Sequence, residues 1–136
     1  MAEAGDKLAF ELVSPERLVI SKPVDMVVVP GAEGDFGALP GHAPFISELR
    51  SWVVEVHDEG EVTERVFVAG GFAEVTPERC TVLAEEAVPV GEIDTARIDQ
   101  EIKNLGEDLA DAKTDDDKAA IVRRIKVREA MRAAAA

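Results

Sequence analysis

Three side chains are of a type that can act as nucleophile or general base: Cys80, His42 and His57. A cysteine attacks as its thiolate, which requires an imidazole, a cation or a helix N-terminus beside it. Cys80 instead lies in the alternating run Cys80-Thr81-Val82-Leu83, the setting of a small buried hydrophobe. His57 ends a predicted strand beside an acidic turn, where solvent exposure is expected. His42 falls within Leu39-Pro40-Gly41-His42-Ala43-Pro44, a segment dense in turn residues. A small hydrolase would need His42 or Cys80, and the sequence contains no GxSxG, HExxH or Walker-type glycine loop. One cysteine and two separated histidines form neither a disulfide framework nor a metal-ligand spacing, and a lone cysteine fits a reducing compartment. No catalytic constellation, cofactor or metal is read from these residues.

Charge is the next chemical resource. The 136 residues carry 28 acids and 15 bases, a net of −13. Nucleic acid is excluded as a partner, because phosphate binding depends on clustered Lys and Arg, and Tyr is absent. The charge is unevenly divided: residues 1–91 hold 17 acids and 6 bases, residues 92–136 hold 11 and 9. Within the second part, Lys118 to Arg132 has six bases and one acid. Such runs are usually solvated faces, and Asp115, Asp116, Asp117 and an acidic first helix can absorb part of this one. Its alternative use is docking on an acidic protein surface, where electrostatics set orientation and rate. The acidic N-terminus lacks the basic and apolar regions of a signal peptide. The longest uncharged run, Phe36 to Ser47, is broken by Gly and Pro and is too short to span a membrane.

Two hydrophobic periods position these groups. Leu8, Phe10 and Leu12 alternate as in a half-buried strand, and Val24-Asp25-Met26-Val27-Val28-Val29 is nearly continuous and β-branched, as expected of a strand covered on both faces. Trp52 to His57 and Val62 to Val68 flank Asp58-Glu59-Gly60-Glu61, a hairpin with a four-residue loop. Gly70-Gly71 and Thr76-Pro77-Glu78 separate further strands at Phe72 to Val75 and Arg79 to Ala84. Breakers at this spacing predict an all-β sandwich or barrel over residues 1–91. Beyond Gly91 the period becomes helical. Ile98, Ile102, Leu105 and Leu109 share one face, with Asp94 as N-cap. Thr114 and Asp117 form a capping-box pattern before a second helix carrying Ile121, Val122, Ile125 and Met131. Two helices of about 18 residues, each ~27 Å long, make an antiparallel hairpin over residues 92–136. Gly106 weakens the first by about 1 kcal/mol relative to Ala, so the hairpin is the less stable unit.

Several motifs in order resemble one family. Gly34-Asp35-Phe36-Gly37-Ala38-Leu39-Pro40-Gly41-His42-Ala43-Pro44 is similar to the GxxGxxPGHAP loop of the epsilon subunit of bacterial F-type ATP synthases. Phe67 to Val75 resembles that family's following hairpin, Val82-Leu83-Ala84-Glu85 its last core strand, and Ile93-Asp94-Thr95-Ala96-Arg97 the start of its helical part. The resemblance implies a β-sandwich with a helix hairpin, acting as a non-catalytic rotor part of the central stalk. Implied partners are the gamma subunit, the c-subunit ring and the catalytic alpha/beta head. The implied location is the cytoplasmic face of the bacterial inner membrane, with contact to the membrane only through the complex.

The resemblance also nominates residues. Glu33, Asp35 and His42 stand in the loop the family uses at the c-ring. Arg123, Arg124, Lys126 and Arg128 match the basic helix that meets the catalytic head and restrains hydrolysis. Asp94 and Arg97 match an I/L-D-x-x-R-A motif that binds regulatory ATP in some members, but Ile98 stands where Ala is expected. The residues themselves read Asp94 as a plain helix cap. A reading from a different class is a free-standing sandwich adaptor whose basic hairpin binds an acidic partner.

Overall fold

The structure, a computed structural model, describes residues 6–136, and the chain divides into two compact units after Pro89. In the first, Leu8, Phe10 and Leu12 of β1 (Leu8–Ser14) point inward at alternate positions, as their spacing predicts. The following strands are β2 (Arg17–Val24), β3 (Met26–Gly31), β4 (Gly34–Ala38), β5 (Phe45–Glu48), β6 (Trp52–Asp58), β7 (Glu61–Val75) and β8 (Arg79–Pro89). They hydrogen-bond in the order β2-β1-β8-β7-β6-β3-β4, with β5 on the C-terminal half of β7. All contacts are antiparallel except β1 with β8.

One sheet becomes two layers because β7 and β8 bend together. Residues Val66 and Val68 of β7 face the core, but beyond Gly70-Gly71 the inward residues are Ala73 and Val75. The face therefore changes parity at the glycines while the β7–β8 register stays constant from Val66↔Pro89 to Val75↔Cys80. Gly70 and Gly71 take φ values of 68° and 104°, open to glycine and strained for other residues. A Cβ on Gly71 would lie 1.9 Å from the Leu83 carbonyl oxygen. On one side of the corner β7 pairs with β6; on the other it pairs with β5. The expected break at Gly70-Gly71 is thus a bend inside one 15-residue strand.

Three other expectations change. Val24 to Val29 is not one strand: Asp25 separates β2, which pairs with β1, from β3, which pairs with β6 and β4. Apolar character on both sides of Asp25 concealed a change of layer. The hairpin between β6 and β7 turns in two residues rather than four, because Asp58 pairs with Glu61 and both Glu59 and Gly60 have positive φ, 53° and 78°. The glycine-rich segment read as a loop contains β4, and β5 follows it as a short edge strand.

In the second unit a 3₁₀ turn (Val90–Glu92) precedes α1 (Thr95–Asp111) and α2 (Asp115–Ala135). Asp94 caps α1, its Oδ1 accepting the Arg97 amide at 3.1 Å. Thr114 caps α2 through its Oγ1 and the Asp117 amide, also at 3.1 Å, and three aspartates occupy the first turn. Ile98 and Leu105 of the predicted stripe are buried.

Gly71→Ala should destabilise the sandwich by about 3 kcal/mol, since it adds backbone strain and a clash with backbone that cannot step aside. Trp52, the single tryptophan, lies on β6, so its fluorescence in urea reads this unit. Gly106→Ala meets open space on α1 and should instead raise helix stability by roughly 0.5–1 kcal/mol, read by circular dichroism at 222 nm. An unchanged urea midpoint for Gly71→Ala would remove the steric account of the corner.

Candidate functional site

The β3–β4 turn presents Ala32 and Glu33 between the paired residues Gly31 and Gly34, with Glu33 exposed. Asp35, on β4, forms an ion pair with Arg50. Arg50 also donates from Nη1 to the Gly31 carbonyl at 3.0 Å, and its amide donates to Pro30 at 2.9 Å. The Ala32 amide also donates to the Glu48 carbonyl at 2.8 Å, so the turn is held by Arg50 together with the end of β5. The next residue, Phe36, points to the opposite side of β4 from Asp35 and packs against the core. His42 is half-buried beside it: the Phe36–His42 and His42–Phe45 ring centroids are both 6.5 Å apart, and Phe36 meets Phe45 edge-on at 5.1 Å.

Two hydrogen bonds shape the loop. The Gly41 amide donates to Pro77 at 2.7 Å, tying it to the β7–β8 turn, and the His42 amide donates to Leu39 at 3.0 Å. His42 Nδ1 lies 2.6 Å from the Ala43 carbonyl, so Nδ1 carries the proton and donates. Of the three nominated loop residues, Glu33 and Asp35 share the turn end of β4. His42 joins the aromatic group on the other side of that strand.

Cys80 is fully buried among core residues of β8, and burial pushes its thiol up to about 12. Reactive thiolates are partly exposed and next to positive charge, so this cysteine is a packing residue. His57 differs from expectation: it is half-buried, its ring Nε2 3.4 Å from Glu55 two residues back on the same face of β6.

Lys7 gathers three carboxylates: Asp25 at 2.7 Å, Asp58 at 2.6 Å and Glu59 at 3.1 Å. The group links the start of β1, the β2–β3 corner and the β6–β7 turn, so it clasps the two layers at one end. The acidic trio has the spacing of cation ligands, but the Lys7 ammonium supplies the positive charge itself. Lys22 on β2 and Glu64 on β7 make a second bridge, 2.8 Å long.

On the outer face of the β2-β1-β8-β7-β5 layer, direct cross-strand neighbours run Leu18, Val13, Leu83, Phe72 and Glu48. Leu18, Phe72 and Leu83 are 56%, 51% and 54% exposed, and Ile46 on β5 is 65% exposed. Contiguous exposed apolar side chains on a soluble sheet mark a docking surface. Glu11, Glu74 and Glu48 stand among them on the same face. Sequence reasoning passed over this row, although its signal was present: in Val82-Leu83-Ala84 the outward position is leucine.

On the hairpin, Arg123, Arg124 and Lys126 are exposed. Arg128 is not alike, being ion-paired with Glu101 of α1 at 3.2 Å. Arg97, nominated with Asp94, pairs with Glu101 at 3.2 Å one turn along the same helix. Among the described residues no helix is long and apolar enough to cross a membrane.

This architecture defines a class. Residues 7–90 match the family model of the ATP synthase delta/epsilon chain β-sandwich domain. Two solved mitochondrial ATP synthases contain chains of similar fold. One is from Euglena gracilis, with a TM-score of 0.79, 22% identity and coverage of 94% of this chain and 81% of that one. The other is from Tetrahymena thermophila, with a TM-score of 0.64, 12% identity and coverage of 96% and 98%. Sequence similarity is closer among bacteria. The ATP synthase epsilon chain of Paramagnetospirillum magneticum is 58% identical over 132 residues, 97% of this chain and 99% of that one. That of Rhodospirillum rubrum is 47% identical over 134 residues, 98% of each. The chain belongs to the family of ATP synthase epsilon chains.

The Lys7 clasp has a pH signature. The hydrogen bond from Lys7, then that from the Glu59 amide, holds the Asp25 carboxyl below its ordinary 3.8. A depressed carboxyl stabilises the fold above its unfolded pKa, and that share disappears as pH falls through the folded value. Lys7 itself is raised, so its share is complete at neutral pH and is lost only in strong alkali. Asp25→Asn should therefore be less stable than the parent at pH 7 and converge with it as pH falls below the ordinary carboxylate range. Urea midpoints across that range check this; parallel curves would show that Asp25 contributes no linkage.

Proposed function

We propose that this protein is a non-catalytic rotor part of a proton-translocating ATP synthase, held at the cytoplasmic face of a bacterial inner membrane by the complex around it. The observation that carries the reading is the exposed row Leu18, Leu83, Phe72 and Ile46 on the outer sheet face. Burying the exposed halves of such side chains stabilises a complex by on the order of 1 kcal/mol each. The occupant assigned to it is the gamma subunit, the partner implied for the sandwich. A rigid surface of this kind couples rotation without any reacting group. Of the two solved assemblies, one holds F1 with a c-ring and the other a central stalk with a c-ring, which suits this assignment.

The β3–β4 turn with Glu33 and Asp35, and the loop with His42, are assigned to the c-ring. Support comes from rigidity: Arg50, the Pro77 carbonyl and the Phe36–His42–Phe45 group preorganise both segments, which lowers the entropic cost of docking. The α2 residues Arg123, Arg124, Lys126 and Arg128 are assigned to acidic surfaces of the catalytic head, where they restrain ATP hydrolysis. Asp94 and Arg97 are assigned to the start of α1 rather than to ATP. The Asp94 carboxylate caps the helix, Arg97 is paired with Glu101, and buried Ile98 replaces the small residue of the nucleotide motif.

Leu83→Asp, and separately Phe72→Asp, should weaken capture of gamma about tenfold or more by leaving a carboxylate in an apolar contact. Circular dichroism should stay native, because both positions face solvent in the free chain. Wild-type capture by both variants would show that gamma binds elsewhere. Ending the chain after Gly91 should leave assembly intact and raise ATP hydrolysis by the assembled enzyme. Unchanged hydrolysis would mean that the hairpin exerts no restraint.

A further inference from the structure

Three consecutive residues running from the end of β5 toward β6 each hold a different part of the sandwich. The Glu48 carbonyl accepts the Ala32 amide of the β3–β4 turn at 2.8 Å. The Leu49 amide donates to the Gly71 carbonyl at 3.0 Å, in the corner of β7, and Leu49 bridges Gly31 on its other side. Arg50 donates from its amide to Pro30 at 2.9 Å and from Nη1 to Gly31 at 3.0 Å, and its Nη2 lies 2.5 Å from Asp35. The fit is close. A Cβ on Gly31 would lie 2.7 Å from the Gly34 carbonyl oxygen and 3.1 Å from Ser47 Oγ. The ladder between β3 and β6 stops at Val28, so this segment takes over where the sheet ceases to support the turn half of the β3–β4 hairpin. At its other end Glu48 pairs with Phe72, and Ile46 stands two residues earlier, both in the exposed apolar row.

We propose that Glu48-Leu49-Arg50 is a strut that fixes the turn carrying Glu33 and Asp35 to the Gly70-Gly71 corner and the apolar row, with Arg50 as its positioning residue. The guanidinium is a rigid planar fork. One arm reaches a carbonyl of β3 and the other a carboxylate of β4, so it sets both arms of the turn at once. A lysine, with a single charged atom on a flexible stem, holds one such partner well and not two. An ion pair as exposed as Arg50–Asp35 contributes little alone. Here it closes a set with three backbone hydrogen bonds on adjoining residues, and loss of one loosens the others. Displacement of the turn is thereby passed through Leu49 to the corner, and the turn and the apolar row move as one body. The use of the strut in docking rests on the gamma and c-ring assignments above; the strut itself does not.

Amide hydrogen exchange in the full chain, resolved by residue, tests this. Arg50→Gln should speed exchange of the Ala32 and Leu49 amides together, by about tenfold, while Val54 and Val68 in the core keep parent rates. Arg50→Lys should not restore the parent rates. Asp35→Asn removes the ion pair only and should speed the same two amides about two- to threefold, adding nothing once Arg50→Gln is present. If Arg50→Gln lowers the urea midpoint read by Trp52, Arg50→Lys and Asp35→Asn serve for the same comparison. Faster exchange at Ala32 with Leu49 unchanged would confine Arg50 to the turn and overturn the strut. Parent rates at both, or a uniform rise that includes Val54 and Val68, would overturn it as well. Capture of a purified c-ring by the chain bound to gamma should fall about three- to tenfold for Arg50→Gln, with capture of gamma at the parent level. If exchange rises and c-ring capture does not fall, the strut stands and the assignment of the turn to the c-ring fails.

Discussion

The sandwich depends on one backbone event, the bend of β7 and β8 at Gly70-Gly71. Without it the eight strands would form a single open sheet with one covered face. With it, the same ladder folds over itself and the valines of β7 on both sides of the corner meet in one core. The event requires two consecutive residues with positive φ, and at Gly71 it also requires the absence of a Cβ beside the Leu83 carbonyl. Few sites in the chain have their residue type dictated so completely.

The same corner creates the surface assigned to a partner. Because parity changes at the glycines, Phe72 turns outward where uninterrupted alternation from Val66 and Val68 would have turned it inward. Register then lines it up with Leu83, Val13 and Leu18 on neighbouring strands. Core and docking face are thus two consequences of one bend.

Electrostatics operate on a different scale. Ion pairs with partly exposed members contribute little each, and their value lies in where they are placed. Lys7 and Lys22 bridge the layers of the sandwich, Arg50 fixes the β3–β4 turn, and Arg128 and Arg132 join the two helices. Each joins segments that are distant in sequence. The net charge says nothing of this, since pairing by position decides which of the six bases between Lys118 and Arg132 remain exposed.

Local chemistry determined much of the protein from the sequence alone. Alternation placed β1 and the buried half of β8, and Asp94 and Thr114 set the helix starts through caps that need only neighbouring amides. Cys80 was readable as a core residue for the same reason: its environment is its own strand's period. The PGHAP loop was specific enough to point to the family. Tertiary structure alone decided the rest, because those features depend on pairing between distant segments. The break at Asp25 goes with the Lys7 clasp and a change of layer, and a single aspartate in an otherwise apolar run shows neither its distant partner nor the change of sheet neighbour. The apolar row needs five strands in register, and the hairpin pairs need antiparallel helices aligned to the turn. Periodicity tells which face of an element is apolar; only the fold tells what that face meets.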